Sequence, residues 1–273
     1  MSVEYIQAII IGIVQGLTEF LPVSSTGHMI IVDHLIDFNK TVGADTAKLF
    51  EVFIQLGSIL AVLILYWPKF RAMATRERLV STNGLTIWHV LAGIVPVGLV
   101  GLVAHKYIKL YLFSPYTVII GLFTGALIML AAEKLNPNPR TLDVEHLTIR
   151  QAFYVGLFQI FSLWPGFSRS GSTIAGGLFF GLNRTAAAEF SFIIAVPLMF
   201  MACGYDMLKM AGHLSGNGIM VLAVGFLVAF IFAYLSIVWF MRFLNKQKLA
   251  AFAYYRIILS AVVWGLLLLQ VID

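Results

Sequence analysis

The chain has 273 residues, of which 60% are hydrophobic and only 11% charged, and its mean hydropathy is +0.92. That balance excludes a soluble globular domain and leaves a chain that faces lipid or a helix-packed interior along most of its length. The formal net charge of +5 is scattered over short loops without the basic patch that nucleic acid needs, and the single Cys203 rules out an internal disulfide and argues against a thiolate metal centre.

In chain order, the N-terminus reads MSVEYIQ, lacks the basic stretch of a cleaved signal peptide, and is expected to be retained. Residues 3–38 are apolar but too long for one crossing, and they are interrupted by Pro22-Val-Ser-Ser-Thr-Gly27. Apolar runs over roughly 50–67, 85–104 and 116–132 are each long enough to span. Residues 151–182 repeat the interrupted pattern, broken at Pro165-Gly-Phe-Ser-Arg-Ser-Gly171, and three further spans follow over roughly 186–205, 218–240 and 250–271. The arms of both interrupted regions are short for full crossings. Each is expected to be a re-entrant helix–loop–helix hairpin, because irregular backbone at membrane depth survives only against protein or a wet cavity.

The loops at 68–84, 133–150, 183–185 and 241–249 carry eleven basic residues, against five in the opposite set (Lys40, Lys48, Lys106, Lys109 and Lys209). By the positive-inside rule the first set is cytoplasmic and both termini lie outside. The two interrupted regions are also related in sequence: Gln15 to Ser24 and Gln159 to Ser168 have the same spacing, and Glu51 and Glu189 each open an apolar run further on. One hairpin plus three crossings per half turns the second copy upside down. The expected fold is therefore an all-α polytopic membrane protein with six transmembrane helices and two re-entrant hairpins in an inverted-topology repeat. It is a single domain over 1–273, with repeats at about 3–132 and 151–271, whose hairpin tips meet near the midplane.

The tips carry the chemistry. Gln15 and Glu19 share one helix face, Pro22 ends that helix, and Ser24, Ser25 and Thr26 precede a new helix with His28 in its first turn. One hydroxyl is needed as an N-cap; three beside a carboxylate and an imidazole exceed that need, and an acid inside a membrane segment marks a functional site by default. The second tip offers Ser168, Arg169, Ser170, Ser172 and Thr173. Arg169 has two readings, a structural ion pair with Glu19 or Glu189, or a planar fork gripping phosphate. Two helix N-termini aimed at one point suit an anion. Glu51 and Glu189 read first as acids complementing helix dipoles, with a supporting role left open. Gln55 and Gln159 read as interhelical hydrogen-bonding residues, and Arg256 as a side chain that snorkels to the cytoplasm. Asp33 has no assignment, and His34, His89, His105, His146 and His213 lack ligand spacing.

Gln15-Gly-Leu-Thr-Glu19-Phe-Leu-Pro-Val-Ser-Ser-Thr-Gly-His28 and Pro165-Gly-Phe-Ser-Arg-Ser-Gly-Ser-Thr173, with Phe50-Glu-Val-Phe-Ile-Gln-Leu-Gly-Ser58 between them, resemble the signature motifs of the bacterial undecaprenyl-diphosphatase (bacitracin-resistance) family. The resemblance covers essentially the whole chain. It implies an inner-membrane enzyme, its site facing the periplasm, that hydrolyses undecaprenyl diphosphate to undecaprenyl phosphate and inorganic phosphate and so recycles the lipid carrier of cell-wall synthesis. It also implies a divalent cation, Mg2+ or Ca2+, with Glu19 as metal ligand. By motif correspondence Glu19, Ser25, His28 and Arg169 are the catalytic candidates, and Gln15, Ser24, Thr26, Ser168, Ser170 and Thr173 are substrate-binding. Position 15 is Gln where many members have Glu, which places more of the metal duty on Glu19. The expected partners are the polyprenyl diphosphate substrate and membrane lipids, with a homodimer left open.

The residues fit attack by Ser25 with His28 or Glu19 as proton acceptor, and equally attack by metal-bound water or by His28. A rival enzyme class, the acid-phosphatase-like lipid phosphatases, lacks support because no His follows Arg169 in the second loop and its basic Lys…Arg-Pro element is missing. The rival from another class is a polyprenyl-phosphate flippase, since inverted repeats with paired hairpins are transporter architecture.

Overall fold

A computed structural model describes residues 3–80, 84–112, 114–136, 138–210 and 216–271; His213 and the side chains of Lys109 and Lys209 lie outside what is described. The chain runs through helices α1 (Val3–Thr18), α2 (Ser25–Ile36), α3 (Phe38–Val42), α4 (Ala44–Leu65), α5 (Trp67–Met73), α6 (Arg76–Val80), α7 (Ile87–Tyr111), α8 (Pro115–Leu135), α9 (Ile149–Gln159), α10 (Arg169–Phe179), α11 (Arg184–Met210), α12 (Gly216–Leu244) and α13 (Ala250–Leu268). No strand occurs among the described residues. Among the described residues, six helices are long and apolar enough to cross a membrane: Thr46–Leu65, Ile87–Ile108, Pro115–Leu135, Arg184–Tyr205, Gly218–Leu244 and Ala250–Leu268. All six coincide with the apolar runs of the sequence.

Helix starts follow local chemistry. Thr86, Ser114 and Thr148 each open a reciprocal capping box with the residue three positions on, and Pro115 fills the first turn of α8, where its missing N–H costs nothing. His89 is the buried partner in the first of these boxes. Helices α1 and α4 pack against α12. The α1 contact depends on Gly16: a Cβ there would lie 2.6 Å from the Ala229 carbonyl oxygen, so only a bare backbone permits the approach.

The four loops grouped by their basic residues are tied together at one end of the molecule. Lys69 bridges Glu189 at 3.0 Å and Glu145 at 3.4 Å, and Arg78 meets Glu145 at 2.8 Å. Nearby, Arg184 Nε donates to Glu133 Oε1 at 2.6 Å and the Leu249 amide donates to Glu133 Oε2 at 2.9 Å.

The two interrupted regions are helix–elbow–helix units with short arms, 16 and 12 residues in the first and 11 and 11 in the second. At 1.5 Å per residue these arms are about 16–24 Å long, against roughly 30 Å of hydrocarbon. The first helix stops at Thr18, earlier than Pro22 alone would dictate; residues 19–23 form turns, and the Glu19 amide still reaches back to the Gln15 carbonyl. In the second unit a 3₁₀ turn over Ile160–Leu163 leads into Trp164–Phe167, anchored by Trp164 Nε1 donating to the Thr117 carbonyl at 2.8 Å. Gly166 has φ 87°, and a Cβ there would sit 2.2 Å from the Val118 oxygen, so both conformation and space demand glycine. The two units end in different surroundings. Helix α10 is buried from Ser170 through Leu178, whereas Gly27 is the buried residue of α2.

Arg256 differs from its expected placement. It is 0% exposed and extends into the bundle, where its guanidinium is held by backbone carbonyls of α8 and of the second elbow, so it does not snorkel.

Candidate functional site

Both elbows end in the same unusual backbone. Ser24 has φ 69° and ψ 98°, and Ser168 has φ 72° and ψ 120°, a left-handed region that costs a non-glycine residue about 1–3 kcal/mol and clusters at functional sites. Each serine caps the helix it precedes: Ser24 Oγ accepts from the Gly27 amide at 3.4 Å and Ser168 Oγ from the Gly171 amide at 3.1 Å.

The elbows touch. Glu19 is the hub, 8% exposed, and Arg169 is 11% exposed beside it. Arg169 Nη2 lies 3.3 Å from Glu19 Oε1, Gln15 Nε2 donates to Glu19 Oε2 at 2.9 Å, and Ser25 Oγ donates to the same oxygen at 3.0 Å. Arg169 also donates from Nη1 to the Ser191 carbonyl at 3.3 Å and lies over the Phe20 ring, 5.1 Å from its centroid. Its Nε is buried without a partner. Ser170 Oγ completes the junction by donating to the Leu21 carbonyl at 2.9 Å. Of the two partners considered for Arg169 in the sequence, Glu19 is the one it meets; Glu189 is engaged by Lys69.

A cavity of about 360 Å³ opens beside this junction, lined on its polar side by Gln15, Ser25, Thr26, Asp33, Glu51 and Gln55. Glu51 and Glu189 are thus equivalent in sequence but not in place, one lining the cavity and the other locked at the basic end. Asp33, unassigned in the sequence, joins the cavity wall and accepts from Asn39.

The remaining candidates occupy other positions. His28 is not bonded to Ser25 or Glu19: its Nδ1 lies 2.8 Å from the Ser24 carbonyl oxygen and its Nε2 lies 2.6 Å from the Tyr255 hydroxyl. Ser170 and Thr173 are 1% and 0% exposed, so they stand behind the cavity. Thr173 Oγ1 donates to the Arg169 carbonyl at 2.8 Å and contacts Ser191 Oγ at 2.6 Å. Gln55 does bond between helices, accepting from Cys203 Sγ at 3.6 Å, whereas both amide atoms of the buried Gln159 lack a partner. Tyr255 and Arg256 of α13 contact the elbows, at His28 and at the Gly166 and Phe167 carbonyls, where the sequence reading placed neither. The one available signal was an arginine inside a span, which marks function more often than topology.

The oxygen ligands lining the cavity come from the Asp33 and Glu51 carboxylates, the Gln15 and Gln55 amides and the Ser25, Thr26 and Ser114 hydroxyls, with the Glu19 carboxylate one hydrogen bond behind Gln15 and Ser25. No group of three or more His, Cys, Asp or Glu side chains converges among the described residues. That set does not make an all-protein cage, but it fits a hard cation that takes one or two carboxylates here and its other ligands from phosphate and water.

The model of the family described as "Bacitracin resistance protein BacA" matches residues 8–262. The chain is 45% identical over 268 residues to the undecaprenyl-diphosphatase of Exiguobacterium sibiricum, covering 95% of this chain and 96% of that protein. It is 46% identical over 258 residues to undecaprenyl-diphosphatase 1 of Bacillus anthracis and likewise to that of Bacillus thuringiensis subsp. konkukian, in each case covering 94% of this chain and 96% of the relative.

Proposed function

The chain belongs to the bacitracin resistance protein BacA family, and on that premise we propose that its joined elbows hydrolyse undecaprenyl diphosphate to undecaprenyl phosphate and inorganic phosphate, returning the lipid carrier to cell-wall synthesis. The observation that carries the chemical reading is the contact of Ser25 with Glu19, 3.0 Å apart at the edge of the cavity. A serine hydroxyl is a weak nucleophile until a base takes its proton, and Glu19 is placed to take it. Ser25 Oγ attacks the terminal phosphorus, the bond from that phosphorus to the bridging oxygen breaks, and undecaprenyl phosphate leaves. The proton taken from Ser25 passes from Glu19 to the leaving phosphate; water then attacks the phosphoserine, giving a proton to Glu19, the bond from phosphorus to Ser25 Oγ breaks with that proton returning to Oγ, and inorganic phosphate leaves. His28, with both ring nitrogens engaged elsewhere, orders the first elbow in this scheme.

Arg169 stabilises the charge on the transferring phosphoryl group, keeping its link to Glu19 and offering its unpartnered Nε. The first turns of α2 and α10, capped by Ser24 and Ser168, add N–H groups without intrahelical acceptors. Mg2+ or Ca2+ would be held by Glu19 with Gln15 and the cavity hydroxyls, and when bound it supplies neutralising charge to the diphosphate.

In the membrane we place both elbows as re-entrant hairpins of an inverted repeat. The short arms, the matching Ser24 and Ser168 backbones and the gathering of basic loops at one end support this. The basic end faces the cytoplasm, the cavity opens to the periplasm and both termini lie on the periplasmic side.

The test is phosphate release from a short-chain isoprenyl diphosphate by the detergent-solubilised chain with Mg2+, where flipping contributes nothing. Wild type should turn over, Glu19→Ala should not, and Ser25→Ala should lose at least about 10³-fold if serine is the nucleophile. Near-normal turnover of Ser25→Ala would remove the serine step, and no release by wild type would favour the flippase.

A further inference from the structure

Two neighbouring residues of α13, outside both motifs, reach the two elbows at corresponding points. Tyr255 stacks on His28 with ring centroids 5.6 Å apart and planes inclined by 5°, and the Tyr255 oxygen lies 2.6 Å from His28 Nε2. A carbonyl only accepts, so the 2.8 Å contact of His28 Nδ1 with the Ser24 oxygen puts the hydrogen on Nδ1. In the neutral ring Nε2 is then the acceptor and Tyr255 the donor. Tyr255 thereby holds His28, and His28 holds the carbonyl of the strained N-cap of the first elbow.

One residue on, Arg256 grips the second elbow directly. Its Nη2 donates to the carbonyls of Phe167 at 2.7 Å, Gly166 at 3.1 Å and Gly121 at 3.1 Å, and Nη1 contacts Met129 Sδ at 3.2 Å. Phe167 immediately precedes Ser168, the strained N-cap of that elbow. Space for the guanidinium is left by two glycines: a Cβ on Gly125 would come 2.2 Å from Nη2, and one on Gly171 would come 2.8 Å from Nη1. No carboxylate pairs with Arg256 among the described residues. Burying an unpaired cation is costly, and an apolar side chain of similar volume would fill the slot more cheaply, so packing alone does not account for an arginine here. Its far end does: Nη2 alone reaches the carbonyls of α8 and of the elbow and holds them together, while Nη1 rests on Met129 Sδ and Nε has no partner.

We propose that Tyr255 and Arg256 are positioning residues: α13 clamps both elbows and fixes the separation between the Ser24 and Ser168 caps, and with it the placement of Ser25 against Arg169. The proposal rests on the phosphohydrolase reading of that site. An error of about 1 Å in such a placement can cost on the order of 10²-fold in rate with little change in ground-state binding.

The experiment is steady-state phosphate release from a short-chain isoprenyl diphosphate by the full chain in detergent, with thermal unfolding of each purified variant. We expect Arg256→Lys and Arg256→Gln each to lower kcat at least about tenfold with KM within about threefold, since both shorter side chains end before the Nη2 position from which the three carbonyls are held. Tyr255→Phe, which keeps the ring and loses one hydroxyl, should lower kcat about three- to tenfold at an unchanged Tm. The double variant Tyr255→Phe/Arg256→Lys should lose less than the product of the single losses, because releasing either elbow already spoils one shared alignment. Wild-type turnover with kcat unchanged in the variants, or losses that multiply, overturns the clamp while leaving the phosphohydrolase reading intact; a wild type that releases no phosphate overturns that reading instead. Should the Arg256 variants fail to fold, Tyr255→Phe decides: a kcat loss at constant KM sustains the clamp and a wild-type kcat overturns it.

Discussion

Ser24 and Ser168 adopt the same left-handed backbone, φ 69° and 72°, and each accepts the amide three residues on, yet the hydroxyls around them are used differently. In the first elbow Ser25 and Thr26 face a cavity, and Ser25 rests on the carboxylate of Glu19. In the second, Ser170 is spent on the Leu21 carbonyl, Ser172 on the Arg169 carbonyl and Thr173 on Arg169 and Ser191. Burial explains the divergence. A polar group enclosed on all sides must find a protein partner, as along α10, while one at a cavity can keep a lone pair for a ligand. Two stretches alike in sequence have thus become an elbow open to a cavity and an enclosed one, and Arg169 reaches from the second to Glu19 of the first.

Removing that link should have the largest effect. Arg169→Ala should lower kcat by about 10²–10³-fold while the purified protein stays folded, and retained turnover would make Arg169 a structural residue only. Next, Ser170→Ala and Thr26→Ala should separate the elbows by symptom. Loss of the Ser170 hydroxyl leaves the Leu21 carbonyl short of a donor and should cost about 1–3 kcal/mol in thermal unfolding; Thr26→Ala should leave Tm unchanged and raise KM. The reverse pattern would exchange the roles of the two elbows. At the caps the elbows should behave alike: Ser24→Ala and Ser168→Ala each lose a cap at about 1 kcal/mol, whereas the glycine variants gain from the positive φ and should stay within about 1 kcal/mol of wild type.

The smallest effect lies away from both elbows, at Glu145. Burial pushes its carboxyl upward, but the Leu85 amide, Arg78 and Lys69 outweigh that and hold it below the ordinary carboxylate value. A folded value below the unfolded one gives stability that is complete above about pH 4.5 and is lost as the pH falls through the lower value. Tm should therefore drop on acidification over that window, and Glu145→Gln should reduce the dependence without altering the elbows.

Much of this arrangement was legible in the sequence because membrane rules are coarse and strong. Length and apolarity located the six spans, and Pro22, Gly166 and the serine runs located the breaks. The four-residue spacing of Gln15 and Glu19 gave their contact. Other features depended on what lies across the bundle, which no local pattern encodes. Arg256 sits in an apolar run near a basic loop, and only the glycine-lined slot between α8 and α10 turns it inward. The position of Tyr255 beside His28 depends on how α13 packs, and so does the engagement of the imidazole Nε2. The parting of Glu51 from Glu189 required knowing that Lys69 folds over the end of α11.

The enclosure of α10 also bears on how the protein is made. A segment carrying Arg169, Ser170, Ser172, Thr173 and three glycines is too polar to partition into lipid unaided, and here it is walled by α8, α9 and α11. During synthesis it must wait at the interface until α11 has emerged, so the second elbow closes late and a nascent chain halted before Arg184 should leave residues 169–173 open to water-borne thiol probes placed there by cysteine substitution.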